Sequence, residues 1–244
     1  MSRIHEETID AFLISKQKTL GNVKYLTLYS EKIGLFEACL KSSSNLKNHF
    51  QGKLENLTKA EFTIFQGRTH RHIKQIQNAK TDHLDNLTTE KQKFIATICQ
   101  IIQKVSPKEQ TILGLQEILE TTRKNLPLVA KPELLFIYTL VQIIYRIGIM
   151  FDPKFCQNCQ KELSEKSFLN DNQLICPDCQ KHGSVQFIVD TSTRKTIFYG
   201  ISTDFQTFSQ IKIPEQSQIE TINTLKNILE NYLQTTLKLF LRKL

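Results

Sequence analysis

Four cysteines between residues 156 and 179 constrain this chain more than any other feature of its sequence. They form two pairs, Cys156 with Cys159 and Cys176 with Cys179, each with two intervening residues. Two such pairs separated by sixteen residues have the spacing of a tetrahedral zinc site. Four thiolates fill the tetrahedron and leave no position for a catalytic water. The spacing therefore predicts a structural Zn²⁺ ion, so the function has to be sought elsewhere in the chain.

The sequence contains no segment typical of export or of membrane insertion. The first ten residues include Glu6, Glu7 and Asp10 and lack an apolar core, so we expect no signal peptide. The most apolar stretch, Leu134–Met150, is too short to span a membrane and is interrupted by polar residues such as Arg146. We therefore expect a cytoplasmic protein without membrane contact, in which the reducing surroundings favour zinc over disulfides.

Positive charge is concentrated in the amino-terminal third of the chain. The net charge is +8, and residues 1–80 carry 13 Lys and Arg against 7 Asp and Glu. Lys and Arg neutralise phosphates and release counterions, which gives affinity without sequence specificity. The surplus favours nucleic acid as a partner, and each single lysine can equally be a solvated surface residue. The candidate DNA-binding residues are Lys16, Lys18, Lys24, Lys41, Lys47, Lys53, Arg68, Arg71 and Lys74.

Alternation of polar and apolar residues predicts strands in the first third of the chain. The five candidates are Thr8–Ile14, Val23–Ser30, Ile33–Lys41, Lys59–Gln66 and Thr69–Gln77, with a long polar loop at Lys41–Leu57. Five short antiparallel strands fit a small closed barrel, and the OB-fold is the commonest such barrel that binds nucleic acid. Four aromatic residues of these strands can stack on bases, although the barrel core is the favoured place for most: Tyr25, Phe36, Phe62 and Phe65.

From residue 88 onward the apolar residues follow a helical period. The predicted helices are one capped by Thr88 or Thr89 that extends to Ile102, then Thr111–Asn125, Glu133–Met150 and Glu215–Leu244, with a hairpin of Val185–Val189 and Thr196–Ile201 before the last. The predicted fold class is α+β. It comprises a five-stranded OB-fold barrel at 1–79, a helical domain at 80–150 plus 183–244, and a four-cysteine zinc-binding insert at 151–182.

This order of parts resembles the RecO family of bacterial recombination mediators. The segments that carry the resemblance are Phe12–Lys16 for the first strand, Gly21–Gly34 for the following hairpin, Leu54–Phe62 for the entry to the fourth strand, Pro132–Asp152 for the central helix, and Tyr232–Leu244 for the final helix. The central helix continues directly into Cys156, as in the family. The resemblance covers nearly the whole chain, and the cysteines are its specific motif.

The resemblance implies a non-enzymatic protein with no small-molecule substrate. Such a protein binds single- and double-stranded DNA, anneals complementary strands, and pairs with RecR. It also binds the acidic C-terminal tail of single-stranded DNA-binding protein and helps to load the RecA recombinase. Relatives often carry an Arg that anchors this tail near the position of Gln142. Because Arg146 lies four residues further on the same helix face, it can supply the missing charge, and Gln142 and Arg146 are the candidate partner-binding residues.

Two other functions stay open on the sequence. A zinc-ribbon OB-fold module that regulates or binds RNA or protein predicts weak, salt-insensitive DNA binding. A metal hydrolase would need an open zinc position with nitrogen or oxygen ligands. No phosphate-binding loop of the G-x-x-x-x-G-K type is present, so ATP binding by that route is not expected.

Overall fold

A computed structural model of the chain describes residues 6–16, 23–41, 54–80, 84–163, 166–182 and 187–237. The chain divides into two compact units, Met1–Leu128 and Val129–Leu244. This division groups the first two helices with the barrel, whereas the sequence groups them with the later helices, and the domain boundaries at 79/80 and 150/151 stay predictions. Among the helices of the described ranges, none combines the length and apolarity that a membrane crossing requires.

The first unit is built on a five-stranded closed barrel. Its strands and helices are β1 (Glu6–Lys16), β2 (Val23–Ser30), β3 (Gly34–Lys41), β4 (Lys59–Gln66), β5 (Arg71–Lys80), α1 (Thr89–Val105) and α2 (Leu115–Asn125). The strand order around the barrel is β1-β2-β3-β5-β4, and only the β3–β5 pair is parallel. This order is that of the OB-fold, so the structure confirms the predicted fold class and all five predicted strands, with end shifts of up to three residues.

Alternation along the strands separates the barrel interior from its outer face. The interior contains the apolar residues of alternate positions, for example Leu26, Leu28, Phe36 and Phe62. The other set faces outward, and part of it is buried by the segments that follow the barrel. The Tyr29 hydroxyl donates to the carbonyl of Ile112 and accepts from its N–H, both at 3.0 Å. Burial of this outer face therefore fixes where the chain before α2 runs.

The second unit surrounds a central apolar helix. Its elements are α3 (Glu133–Arg146), β6 (Lys166–Asn170), β7 (Gln173–Ile175), β8 (Phe187–Asp190), α4 (Thr191–Ser202), α5 (Phe205–Phe208) and α6 (Glu215–Leu233). Every residue of α3 from Leu135 to Ile144 is buried, and α3 packs against α4 and α6. Gly148, with φ of +78°, ends α3 four residues before the predicted end, because its N–H and that of Ile149 satisfy the last carbonyls.

The predicted hairpin at 185–201 is wrong in its second strand. Within the described part of this segment, which begins at residue 187, Phe187–Asp190 forms a strand, β8, and the next twelve residues form helix α4. The many threonines favour a strand locally, but Asp190 caps a helix by accepting from the N–H of Thr193 at 2.6 Å. Burial of Ile197 against the rest of the second unit then outweighs the local strand preference.

The last helix is shorter than predicted. It begins at Glu215 after Pro214, as predicted, but ends at Leu233, because Gln234 adopts the left-handed conformation with φ of +50°. Part of the predicted extension, residues 238–244, lies outside the described residues.

Candidate metal centre and nucleic-acid interface

The four predicted cysteines come together at one point of the second unit. Their Sγ atoms all lie within 4.8 Å of one another, and those of Cys159 and Cys176 are 3.8 Å apart. A tetrahedral Zn²⁺ with bonds of about 2.3 Å to sulfur separates its ligands by about 3.8 Å. The cluster therefore has the ligands, the number and the spacing of a structural metal site.

Two backbone turns hold the sulfurs in place. In the first turn, the N–H of Gln160 donates to the carbonyl of Cys156, and in the second, the N–H of Gln180 donates to that of Cys176. The hairpin of β6 and β7 connects the turns, and the N–H of Gln157 donates to Leu174 of β7 at 2.8 Å. The local structure thus positions all four side chains around one point.

Hydrogen bonds shift the pKa values of two of the cysteines in opposite directions. Burial raises the pKa of Cys156, but hydrogen bonds from the backbone N–H groups of Cys159, Cys176 and Asn158 together lower it to about 6. Hydrogen bonds with the sulfurs of Cys176 and Cys159 raise the pKa of Cys179 to about 12. One thiolate therefore forms readily while another is resisted, and a bound divalent cation would offset that resistance.

Four of the candidate DNA-binding residues cannot be placed by their side chains. Lys18, Lys47 and Lys53 lie outside the described residues. Lys41 is the last residue of β3, and the structure describes its backbone but not its side chain. Their role stays a prediction.

The remaining candidates lie on the barrel, and most of them are already paired with carboxylates. The ion pairs are Lys16 with Glu55 at 3.2 Å, Arg71 with Glu109 at 2.6 Å, and Lys74 with Glu6 at 2.7 Å. Arg68, in the turn between β4 and β5, and Lys24 on β2 are exposed and have no ion-pair partner among the described residues. Since a phosphate must compete with a carboxylate at the paired positions, Arg68 and Lys24 are the most available cations of the described set.

Comparison with known proteins connects this arrangement to one family. The family model described as "Recombination protein O C terminal" matches residues 88–239, which is more than half of the chain. The chain belongs to the RecO family. Curated proteins named DNA repair protein RecO are similar along most of the length: that of Dehalococcoides mccartyi strain CBDB1 is 24% identical over 87% of this chain and 85% of its own.

Two further RecO proteins show the same level of similarity. The one of Thermoanaerobacter sp. strain X514 is 22% identical over 82% of each chain. The one of Thermodesulfovibrio yellowstonii is 25% identical over 66% of this chain and 67% of its own. RecO membership supports a role in DNA repair and recombination.

Gln142 and Arg146 are the two candidate partner-binding residues that the RecO resemblance indicates. In the structure one of them is buried and the other is exposed. Gln142 is 7% exposed, and its Nε2 donates to the carbonyl of Gly200 at 2.7 Å, so it joins α3 to α4. Arg146, one turn later, is exposed at the end of α3. Of the two candidates, Arg146 is the one whose side chain is open to a partner.

Arg194 is a structural residue of the RecO chain that the sequence did not indicate. It is 6% exposed on α4, and its Nη1 donates to the carbonyls of Pro153 at 3.2 Å and Leu163 at 3.3 Å. Burial lowers the pKa of its guanidinium. Pro153 precedes the first cysteine pair in the chain and Leu163 follows it, so Arg194 links both ends of the segment that contains Cys156 and Cys159 to α4. Arg194 and the exposed Lys195 are adjacent basic residues in a threonine-rich stretch, and nothing in the sequence distinguishes the buried one from the exposed one.

We expect Arg194→Met to destabilise the second unit by about 3 kcal/mol, because the buried carbonyl of Leu163 and the partly buried carbonyl of Pro153 would lose their donor. Lys195→Met, on the next residue of α4, is the matched control. Lys195 is exposed, and its replacement should change the free energy of unfolding by no more than about 0.5 kcal/mol. Urea unfolding of both variants measures the difference, and equal stabilities would contradict the role assigned to Arg194.

Proposed function

We propose that this protein is a recombination mediator that binds DNA and works without a chemical step of its own. Its barrel binds the phosphate backbone of single- and double-stranded DNA, and charge neutralisation brings complementary strands together for annealing. Membership in the RecO family is the observation that carries the proposal. The OB-fold strand order and the positive surplus of residues 1–80 agree with it.

In this proposal the metal of the four cysteines is Zn²⁺, and its role is structural. Thiolate ligands in a tetrahedral set favour zinc. A full set of four leaves no open position for water, which argues against the hydrolase alternative.

The proposed partners are RecR and the C-terminal tail of single-stranded DNA-binding protein, with which this protein would help to load RecA in the cytoplasm at the nucleoid. Arg146 is the proposed anchor of the acidic tail. Burial raises the pKa of Tyr138, the charge of Asp204 raises it further, and the charge of Arg146 lowers it. The side chains of Asp204 and Arg146 therefore both lie near the Tyr138 ring. Tyr138 packs on Phe205 at 5.4 Å and on Phe208 at 5.6 Å. All three rings are buried, so the exposed Arg146 is the feature that would attract the acidic peptide. Pull-downs with RecR and with tailed or tail-less protein test these partners.

Strand annealing tests the proposed function most directly. The purified protein should accelerate annealing of complementary oligonucleotides, and the acceleration should fall as salt rises, because phosphate contacts release counterions. Absence of acceleration, or acceleration that salt does not change, would overturn the proposal. Weak, salt-insensitive DNA binding would favour the module that binds RNA or protein.

Arg68 provides the residue-level test. We expect Arg68→Ala to weaken binding to all DNA sequences alike and to reduce the slope of log K against log salt by about 1. Lys212→Ala, at an exposed position of the second unit, is the matched control that removes the same charge and should leave the slope unchanged. Fluorescence anisotropy at several salt concentrations measures both, and equal slopes for the two variants would remove Arg68 from the interface.

A further inference from the structure

Four side chains form a single row across the outer face of the barrel. Tyr25 of β2 is paired in register with Cys39 of β3, Cys39 with His72 of β5, and His72 with Phe65 of β4. Their strand neighbours, such as Ala38 and Ile64, lie in the barrel interior, so the row faces outward. We call these four residues the transverse row. It crosses three inter-strand spacings, or about 14 Å.

The rings of the row are held in fixed orientations. His72 stacks on Phe65 with ring centroids 5.1 Å apart and planes 19° apart. The Cys39 thiol donates to the carbonyl of Arg71 at 3.2 Å, and its sulfur lies 3.0 Å from Nδ1 of His72. At the other end of the row, the ring of His70 meets that of Tyr25 edge-on at 6.0 Å. The arrangement is therefore ordered before any ligand binds.

The turn between β4 and β5 closes tightly over one end of the row. A Cβ added at Gly67 would lie 2.7 Å from the ring of His72 and 2.9 Å from the carbonyl of His70. The exposed Arg68 directly follows Gly67 in this turn. Cys39 is buried, whereas Tyr25, Phe65 and His72 are half-buried, so the row offers ring surface on either side of Cys39, and Arg68 supplies positive charge in the adjoining turn.

A neighbouring cleft of about 460 Å³ is a weaker candidate for DNA. It is lined by residues that include Glu37 and Glu109, which form ion pairs with Lys108 and Arg71 at 3.9 and 2.6 Å. Its carboxylates oppose phosphates, and its cations are already engaged. The transverse row contains no carboxylate and is the better surface for a nucleic acid.

We propose that the transverse row binds unpaired bases of single-stranded DNA by stacking on Tyr25, Phe65 and His72, while Arg68 binds the backbone. Every base has a π-face, so stacking tolerates any sequence, and OB-folds hold about 4–16 nucleotides in this way. Bases inside a duplex are covered by their neighbours and cannot reach the rings. The row would therefore add affinity for single strands alone. This inference rests on the proposed function and deepens it.

Leucine substitutions test the row, because they keep apolar volume while removing the ring. We expect Tyr25→Leu and Phe65→Leu each to weaken binding of an oligothymidine of about 16 nucleotides by about 5- to 150-fold. Duplex affinity and the salt slope should stay unchanged, since no phosphate contact is removed. Tyr199→Leu, at an exposed tyrosine of the second unit, is the matched control and should affect neither ligand.

A second measurement does not depend on loss of affinity. The chain contains no tryptophan, so Tyr25→Trp places a single tryptophan in the row, whose fluorescence can be excited separately from that of the tyrosines. Single-stranded DNA should change its fluorescence by stacking, and duplex DNA at saturation should not. Equal responses to both, or Leu variants that lose single-strand and duplex affinity equally, would overturn the row as a stacking site. If the unaltered protein shows no salt-dependent DNA binding, the proposed function itself is wrong, and the stacking role of the transverse row is wrong with it.

Discussion

Replacing Cys156 and Cys159 together by serine should release the metal and lower the stability of the second unit by about 4 kcal/mol. Only the folded chain holds the four sulfurs within 4.8 Å of one another, so metal binding favours the folded state. When free metal is about 1,000-fold above its Kd, this linkage is worth about 4 kcal/mol. Metal analysis and urea unfolding of the double variant measure the two effects.

Asn158→Ser is the control for this experiment. Asn158 lies between the same two cysteines with an exposed side chain, and its backbone N–H remains available to Cys156. This variant should keep both the metal and its stability. A double variant that is metal-free, folded and as stable as the unaltered protein would contradict the structural role of the metal.

Acid should release the metal in the unaltered protein. The ligands bind as thiolates, so metal binding releases protons and becomes weaker as pH falls. The pKa of Cys156 is lowered to about 6, so its thiolate persists to lower pH than that of an ordinary thiol. The Ser double variant supplies the baseline, since it has no metal to lose.

The cysteine site and the barrel could be predicted from sequence because both depend on local patterns. Two C-x2-C pairs indicate a metal site by spacing alone, and strand alternation such as that of Val23–Ser30 indicates which side chains fill the barrel. The bounds of β2 and β4 match the prediction to the residue. The cysteines that show the spacing are themselves the candidate ligands, and the alternating apolar residues are themselves the ones that fill the barrel.

Features that depend on distant contacts were not predictable in the same way. Thr191–Ser202 has local strand character, and its helical state depends on the Asp190 cap and on burial against other helices. The ion pairs that engage Lys16 and Lys74 join residues 39 and 68 positions apart. Sequence could count the positive charges, but it could not show which of them already face a carboxylate.

The transverse row also could not be predicted from the sequence. Tyr25 and Phe65 belong to the aromatic set considered on sequence, but only the barrel closure brings them into line with Cys39 and His72. The β3–β5 pairing that does so is the parallel one, which no hairpin pattern indicates. A site assembled from four strands therefore has no contiguous motif.

Gly34→Ala should destabilise the first unit by about 3 kcal/mol. Gly34 begins β3 with φ of +84°, and an added Cβ would lie 2.1 Å from the carbonyl oxygen of Gln110 and 2.4 Å from its carbon. The left-handed conformation alone costs about 1–2 kcal/mol for an L-residue. The backbone clash adds about 1–3 kcal/mol, because the segment before α2 would have to move away from the barrel.

Gly148→Ala separates these two contributions. Gly148 has a similar φ of +78°, but an added Cβ meets nothing within 4 Å, so only the conformational cost of about 1 kcal/mol should appear. Hydrogen exchange provides a local readout, since the N–H of Glu109 donates to the carbonyl of Leu35 at 2.9 Å, next to Gly34. We expect that amide to lose protection in Gly34→Ala and to keep it in Gly148→Ala. Equal losses of stability in the two variants would mean that the close approach of Gln110 to the barrel does not constrain Gly34.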